Sequence, residues 1–271
     1  MSDAWIADAL EETWGTIYHL IDTFPQEFFD WATPCPGWSI RDIVCHLIGW
    51  ERYYNEGFVP NTKSVRGEFI KNELGVLNQG FILSMRSIAP HQIRGLFGIE
   101  TARSLVRLRN LTEEDYDQIV VSPLGESSTY RFRMETRIFD SWIHMQDLRD
   151  AMLRPDDDHT MGEEVVMARF EASLPGVIRS ALELRNGELV RINLSGRLAR
   201  SLTFRCLENG VAPVEYASEA PVLEMTTPIA LFWRRCAGRI SADAFLGEES
   251  THVRGNVVLA VALADALATT R

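Results

Sequence analysis

The chain of 271 residues is poor in cysteine and in positive charge, and it lacks long apolar runs. Its four cysteines form no CxxC pair, which argues against a disulfide framework or a cysteine zinc knuckle. No apolar stretch approaches the ~20 residues that a membrane helix needs, and no secretory signal opens the chain. The net charge of −11 argues against nonspecific nucleic-acid binding, because phosphates repel an acidic surface. We therefore expect a cytoplasmic protein without a nucleic-acid or membrane partner.

The same composition predicts the state of the thiols. Free cysteines are commonly buried in a protein interior. We accordingly expect buried structural thiols at all four positions, which are Cys35, Cys45, Cys206 and Cys236.

The length and the apolar periodicity predict two domains, since 271 residues exceed the usual size of one. Helical patterns dominate the first two-thirds and lie near residues 6–23, 39–50, 64–87, 91–109 and 131–152. Alternating patterns typical of strands follow at 189–194, 202–206, 213–217 and 221–226. Helical patterns return at 227–237 and 255–268. We predict an α+β protein: a helical bundle over 1–153, linker composition at 153–159, and a smaller α+β domain over 160–271.

Two capping patterns predict where helices begin. Ser39 is followed three residues later by Asp42, and Thr160 is followed at the same spacing by Glu163. In such pairs each side chain satisfies a free main-chain N–H of the first helical turn. The first pattern opens a helix that carries His46.

One polar stretch combines candidate metal ligands. Asp140 and His144 are four residues apart on a predicted helix, and Asp147 follows three residues later, so all three share one face. His46 faces inward on its own helix if the apolar residues around it mark the buried side. Two imidazoles and one carboxylate suit zinc or a similar divalent ion and leave a position open for water or substrate. An inward histidine is more often a core residue than a ligand, so spacing alone leaves both interpretations open.

Two long motifs resemble a known family. Residues 34–49, PCPGWSIRDIVCHLIG, are similar to the signature PCPGWSVRDVVAHLxG of the mycothiol-dependent maleylpyruvate isomerase family, in the DinB-like superfamily. Residues 137–149, RIFDSWIHMQDLR, resemble its second signature, RxxExWxHxQDxR. A shorter stretch at 233–239, WRRCAGR, is similar to its C-terminal segment.

The resemblance implies a DinB-like four-helix bundle that carries a catalytic metal, followed by a smaller sterol-carrier-like α+β domain. It implies His46, Asp140 and His144 as the metal ligands, with zinc as the expected ion. The family pattern has glutamate where this chain has Asp140. Asp147 could therefore be the acidic ligand instead, or a partner that orients an imidazole.

The implied activity is metal-assisted activation of a small thiol, mycothiol, for addition to an electrophilic small molecule. A metal stabilises the thiolate, which is the nucleophilic form. Reversible addition gives cis–trans isomerisation, and departure of a leaving group gives thiol transfer. We expect catalytic roles for Asp147 and Arg239, and contacts with the thiol from Trp50, Trp142 and Arg239.

Several alternatives remain open from the sequence. Trp31, Trp38, Trp50 and Trp142 could wall an apolar pocket, or they could simply pack in the core. Arg234 and Arg235 are further candidate anchors for an anion, but a solvated helix face also explains them. A metal-dependent hydrolase of the same superfamily and a non-catalytic ligand-binding protein are the competing functions. The electrophile and the oligomeric state are left undetermined.

Overall fold

The computed structural model describes residues 4–63, 65–154 and 160–269. Contacts between Cα atoms divide the chain into two compact units, Met1–Val166 and Met167–Arg271. The predicted domain ranges, 1–153 and 160–271, stay a prediction. The division falls inside a helix, and residues 155–159 of the predicted linker lie outside the described residues.

The first unit is mainly helical. Its helices are α1 (Ala4–Thr23), α2 (Ile40–Glu56), α3 (Glu73–Met85), α4 (Pro90–Leu108), α5 (Glu113–Asp117) and α6 (Tyr130–Ala151). A short antiparallel hairpin, β1 (Ile119–Val121) and β2 (Ser127–Thr129), precedes α6. Helices α4 and α6 each pack against both α1 and α2. The four long helices thereby surround one core.

That core comes from the apolar faces that the periodicity predicts. Ile6, Leu10, Ile17 and Ile21 line the buried side of α1. Burying a side chain of this size stabilises the folded state by about 1.5–3 kcal/mol. The apolar stripe therefore fixes which face of α1 turns inward.

Helix α3 begins later than the sequence analysis predicts. Its first residue is Glu73, because the side chain of Asn72 accepts the N–H of Gly75 at 2.8 Å and caps the helix there. The mispredicted stretch also contains Gly67, which disfavours a helix. The prediction of a helix from residue 64 is therefore wrong at its start.

The second unit contains a five-stranded sheet. It follows helix α7 (Met161–Ala181), which crosses the division between the units. The strands are β3 (Leu189–Ser195), β4 (Arg200–Leu207), β5 (Gly210–Pro213), β6 (Leu223–Pro228) and β7 (His252–Gly255), in the spatial order β5-β4-β3-β6-β7. Strands β3 and β6 are parallel, and the other pairs are antiparallel. The remaining helices are α8 (Ile229–Cys236), α9 (Ala242–Gly247) and α10 (Val257–Ala266).

The predicted strand at 213–217 is displaced in the structure. Leu207 pairs with Gly210, so only two residues turn the chain and β5 starts at once. Thus β5 ends at Pro213, near the residue where the predicted strand begins. The predicted α+β class, a helical part followed by a smaller mixed part, is confirmed. Among the described residues, no helix is long and apolar enough to cross a membrane.

Candidate metal centre

Helix α2 places His46 in the interior of the first unit. Its start is fixed by the predicted capping box, in which Asp42 N–H donates to Ser39 Oγ at 3.2 Å and Ser39 N–H donates to Asp42 Oδ2 at 3.0 Å. From this start, His46 falls on the buried side and is 1% exposed. Its Nε2 lies 3.0 Å from Oδ2 of Asp140 on α6.

Helix α6 supplies three further groups from one face. Nε2 of His144 lies 3.6 Å from Oδ1 of Asp140, one turn away. Nδ1 of the same ring lies 3.0 Å from Oδ2 of Asp147, a residue with no exposed surface. The structure thus brings His46, Asp140 and His144 together and places Asp147 on the far side of the His144 ring.

The donor set fits a divalent cation. One ligand atom from each of His46, Asp140 and His144 lies within 4.8 Å of the other two. Two imidazoles and a carboxylate are a ligand set found in catalytic zinc sites, where a fourth position stays open. Asp147 contacts the second nitrogen of His144, as carboxylates do beside metal-binding histidines. These residues could therefore hold a metal ion.

A second group of donors shares His144. A sulfur, nitrogen and oxygen atom from Cys35, His144 and Asp147 also lie within 4.8 Å of one another. Cys35 is partly exposed, whereas Cys45, Cys206 and Cys236 are buried. The expectation of a buried structural thiol is therefore wrong for Cys35. Its place in the first motif was the available signal.

Trp38 covers both imidazoles. The centre of its ring system lies 4.8 Å from that of His46 and 5.4 Å from that of His144, and the two imidazoles are 5.0 Å apart. The turn that delivers Trp38 contains Gly37 at φ +80°, a left-handed conformation that glycine adopts readily. The Trp38 ring therefore packs against both candidate imidazole ligands.

Burial and neighbouring charges set the protonation of the site. Burial lowers the pKa of His46 from 6.5 to about 4, although Asp140 acts in the opposite direction. Burial alone would raise the pKa of Asp140, but His46, His144 and Arg137 hold it well below its usual range. At neutral pH the site thus offers a neutral imidazole at His46 and a carboxylate at Asp140, the forms that bind metals.

The two tryptophans predicted to contact a thiol lie in different surroundings. Trp50 is half-buried near the end of α2, where its indole N–H donates to Asn78 Oδ1 at 3.0 Å. Trp142 is buried, and its indole N–H donates to Thr160 Oγ1 at 2.9 Å. Because Trp142 is two residues from both Asp140 and His144, it projects from another face of α6. The thiol-binding role of both tryptophans stays a prediction.

The predicted arginines belong to the second unit. Arg239 follows α8, and its Nη1 donates to the carbonyl of Ala237 at 2.8 Å. Arg235 is buried and donates to three main-chain carbonyls, so it is not part of a solvated helix face; the acceptors are Ile240, Ala264 and Asp265. Arg234 lies over the ring of Trp233. The catalytic and thiol-binding roles of Arg239 stay a prediction.

Besides Cys35, sequence reasoning missed two buried charged residues beside the site. Arg137 opens the second motif but has no predicted role, and its Nη1 donates to Asp140 Oδ2 at 2.6 Å. Glu51 pairs with Arg137 from α2, and both side chains are buried. The motif position was a signal for Arg137. No sequence pattern singles out Glu51.

Comparisons with known proteins bear on both fold and family. A solved structure titled as the mycothiol-dependent maleylpyruvate isomerase is similar at TM-score 0.53 and 15% identity, covering 92% of this chain and 91% of its own. A variant of that isomerase gives TM-score 0.52 at 15% identity, with coverages of 87% and 88%. At this identity the likeness concerns the fold. Sterol carrier protein 2 from Yarrowia lipolytica matches at TM-score 0.28 and 14% identity, over 38% of this chain and 88% of its own.

Sequence comparison gives the family. No curated protein matches the chain significantly. The family model described as the mycothiol maleylpyruvate isomerase N-terminal domain matches residues 10–149, which is more than half of the chain and includes all three candidate ligands. The chain therefore belongs to the mycothiol maleylpyruvate isomerase N-terminal domain family.

Proposed function

We propose that this protein is a metal-dependent enzyme that uses mycothiol, or a similar small thiol, to isomerise a small electrophilic substrate. The observation that carries the proposal is the close approach of possible ligand atoms from His46, Asp140 and His144, which lie within 4.8 Å of one another. The family of the chain supports the choice of thiol. The matching family model and the similar solved structures are both named for mycothiol maleylpyruvate isomerase.

In this proposal His46, Asp140 and His144 hold the ion, with zinc as the expected metal. A divalent ion bound there would stabilise the thiolate form of a thiol and so supply the nucleophile at neutral pH. A proton on His144 Nδ1 would be donated to Asp147 Oδ2, which lies 3.0 Å away, and would leave the Nε2 lone pair available for the ion. The carboxylate thereby fixes both the tautomer and the orientation of one ligand.

The chemistry requires a thiol and an activated double bond. A thiolate adds to one carbon of a conjugated cis double bond, the resulting single bond rotates, and the thiolate leaves to give the trans isomer. The thiol is regenerated, so no net oxidation or reduction occurs. Thiol transfer is the alternative outcome, and it requires a leaving group on the substrate. Trp38 gives the ligand cluster an apolar side, which limits access of water.

Calorimetric titration with mycothiol tests the proposal. The zinc-loaded protein, the chelator-treated protein and the His144→Ala variant are compared, with His19→Ala as the control because His19 is an exposed residue of α1. We expect binding in the loaded wild type and the control, and none in the other two samples. Absence of binding to the loaded wild type would overturn the mycothiol proposal.

Turnover distinguishes the remaining functions. A cis–trans change in a conjugated acid that requires added thiol, followed by its ultraviolet spectrum, supports the isomerase. Consumption of the thiol in proportion to product supports a transferase. Hydrolysis that needs metal but no thiol would favour a hydrolase, and a retained apolar ligand without turnover would favour a binding protein. Roles of Trp50, Trp142 and Arg239 in thiol binding, and a cytoplasmic location, are part of the proposal.

A further inference from the structure

A buried ion pair between Arg137 and Glu51 contacts Asp140. Arg137 is 3% exposed and Glu51 is 2% exposed. Nε and Nη2 of Arg137 donate to Glu51 Oε1 at 3.1 and 2.8 Å, and Nη1 donates to Asp140 Oδ2 at 2.6 Å. One guanidinium therefore joins a carboxylate on α2 to the candidate ligand carboxylate on α6.

The second oxygen of Glu51 is also bound. The hydroxyl of Ser104 on α4, which has no exposed surface, donates to Glu51 Oε2 at 2.6 Å. Hydrogen bonds thus connect three helices through Glu51. The guanidinium carbon of Arg137 further lies 5.9 Å from the centre of the Trp50 ring. The side chain that contacts Asp140 is consequently held on two sides.

The arrangement depends on the shape and charge of arginine. Its planar guanidinium presents several N–H donors in fixed directions, so one group can serve two carboxylates. Lysine carries the same charge but concentrates it at one flexible point. Burying charged groups is costly unless they are paired and hydrogen-bonded. Glu51 supplies that pairing and offsets the positive charge that Arg137 places beside Asp140.

We propose that Arg137 and Glu51 are positioning residues of the metal centre. Arg137 fixes the orientation of the Asp140 carboxylate, and Glu51 neutralises Arg137 so that the carboxylate retains its affinity for a cation. This inference rests on the proposed function in one respect, which is that Asp140 is a metal ligand.

Two substitutions separate orientation from charge. Arg137→Lys keeps the positive charge but removes the planar guanidinium with its fixed N–H donors, so the Asp140 carboxylate loses its orientation. Glu51→Gln keeps the size and an acceptor oxygen, but it leaves Asp140 to balance the Arg137 charge alone, so the guanidinium competes with a cation for the ligand carboxylate. Loss of groups that contact a metal ligand typically weakens metal binding about 10- to 100-fold. We expect a rise of this size in the zinc dissociation constant for each variant.

The experiment is a competition titration of zinc into each purified full-length protein, with Co²⁺ absorption spectra recorded in parallel. Arg131→Lys is the matched control, because Arg131 lies on the same helix and forms a more exposed ion pair with Asp117. Arg137→Lys should change the ligand-field bands of bound Co²⁺, whereas the control should not. A purely structural role would lower stability without changing these bands.

A double variant tests the charge argument. Glu51→Gln combined with Arg137→Gln removes both charges, so its zinc affinity should exceed that of Glu51→Gln alone. Wild-type affinity and spectra in both single variants would overturn the inference and leave the proposed function intact. A wild-type protein that binds neither zinc nor Co²⁺ would instead overturn the proposed function and the inference together. If Glu51→Gln does not fold, Arg137→Lys decides the orientation step alone.

Discussion

Acidification should destabilise the metal-free protein well above the pH at which carboxylates titrate, and His46 should cause a definite part of the loss. The imidazole is fully buried among Trp38, His144 and Asp140. In the unfolded chain the same ring is hydrated and binds a proton near its ordinary pKa. Folding therefore competes with protonation of His46.

The size and direction of the effect on stability follow from the pKa shift of His46. Burial lowers the pKa of His46 from 6.5 to about 4 in the folded state. Between these values the unfolded state binds more protons than the folded state, so stability falls as the pH falls. Each pKa unit corresponds to about 1.4 kcal/mol, which gives an upper limit of about 3.5 kcal/mol for this residue. The contribution is complete above pH 6.5 and is lost by about pH 4.

Asp140 acts in a different range of pH. Burial opposes its ionisation, but His46, His144 and Arg137 together lower its pKa. Its contribution to stability is therefore present above the unfolded-state pKa of about 3.9 and is lost at lower pH. Between pH 7 and pH 4.5, Asp140 therefore contributes little to the pH slope of stability, whereas His46 contributes most of its change.

Urea unfolding in the presence of a chelator is the assay. The free energy of unfolding is measured at several pH values for the wild type and for His46→Gln, whose amide can still contact Asp140 but does not titrate. His19→Asn removes an exposed histidine of α1 as the control. The pH slope should be smaller in His46→Gln and unchanged in His19→Asn. Equal slopes in all three proteins would refute the reasoning.

Three further substitutions and one chemical modification test separate features. Asp147→Asn should raise the zinc dissociation constant about 10- to 100-fold in calorimetry, since the carboxylate orients a ligand imidazole; an unchanged constant would contradict that role. Gly49→Ala would place a methyl group 2.3 Å from an aromatic ring of α3 and should cost about 1–3 kcal/mol in urea unfolding. Gly15→Ala, which meets no atom within 4 Å, should instead stabilise α1 by about 0.5–1 kcal/mol, and equal effects would contradict the packing. A chromogenic thiol reagent should modify Cys35 in the native protein and leave Cys45, whose pKa burial raises to about 12, untouched; equal rates would contradict the burial of Cys45.

The sequence predicts the parts of the fold that depend on neighbouring residues along the chain. The capping box of Ser39 and Asp42 is present because it needs only one helical turn. The shared face of Asp140 and His144 likewise follows from the helical repeat. The late start of α3 was missed because Asn72 competes as a cap within a longer apolar pattern. Periodicity averages over several turns and does not register one such side chain.

Residue spacing alone could not predict that His46 lies against α6. A helical repeat states which face a residue occupies, but it does not state which helices pack together. The motif resemblance supplied that information for His46, Asp140 and His144. It gave no role to Cys35, whose position depends on a turn at Gly37 with φ +80°. The conformation of such a loop, not its composition, brings the sulfur near His144.

Glu51 shows the limit most clearly. A glutamate in the middle of a helix ordinarily predicts a solvent-facing position, because isolated charges are rarely buried. Here burial is tolerated only because Arg137 and Ser104, from two other helices, satisfy both carboxylate oxygens. The stabilisation that allows the burial therefore comes from the three side chains together, and no single one of them provides it. A method that scores residues or local periods one at a time will place such a carboxylate on the surface, and it will overlook groups that support a ligand from behind.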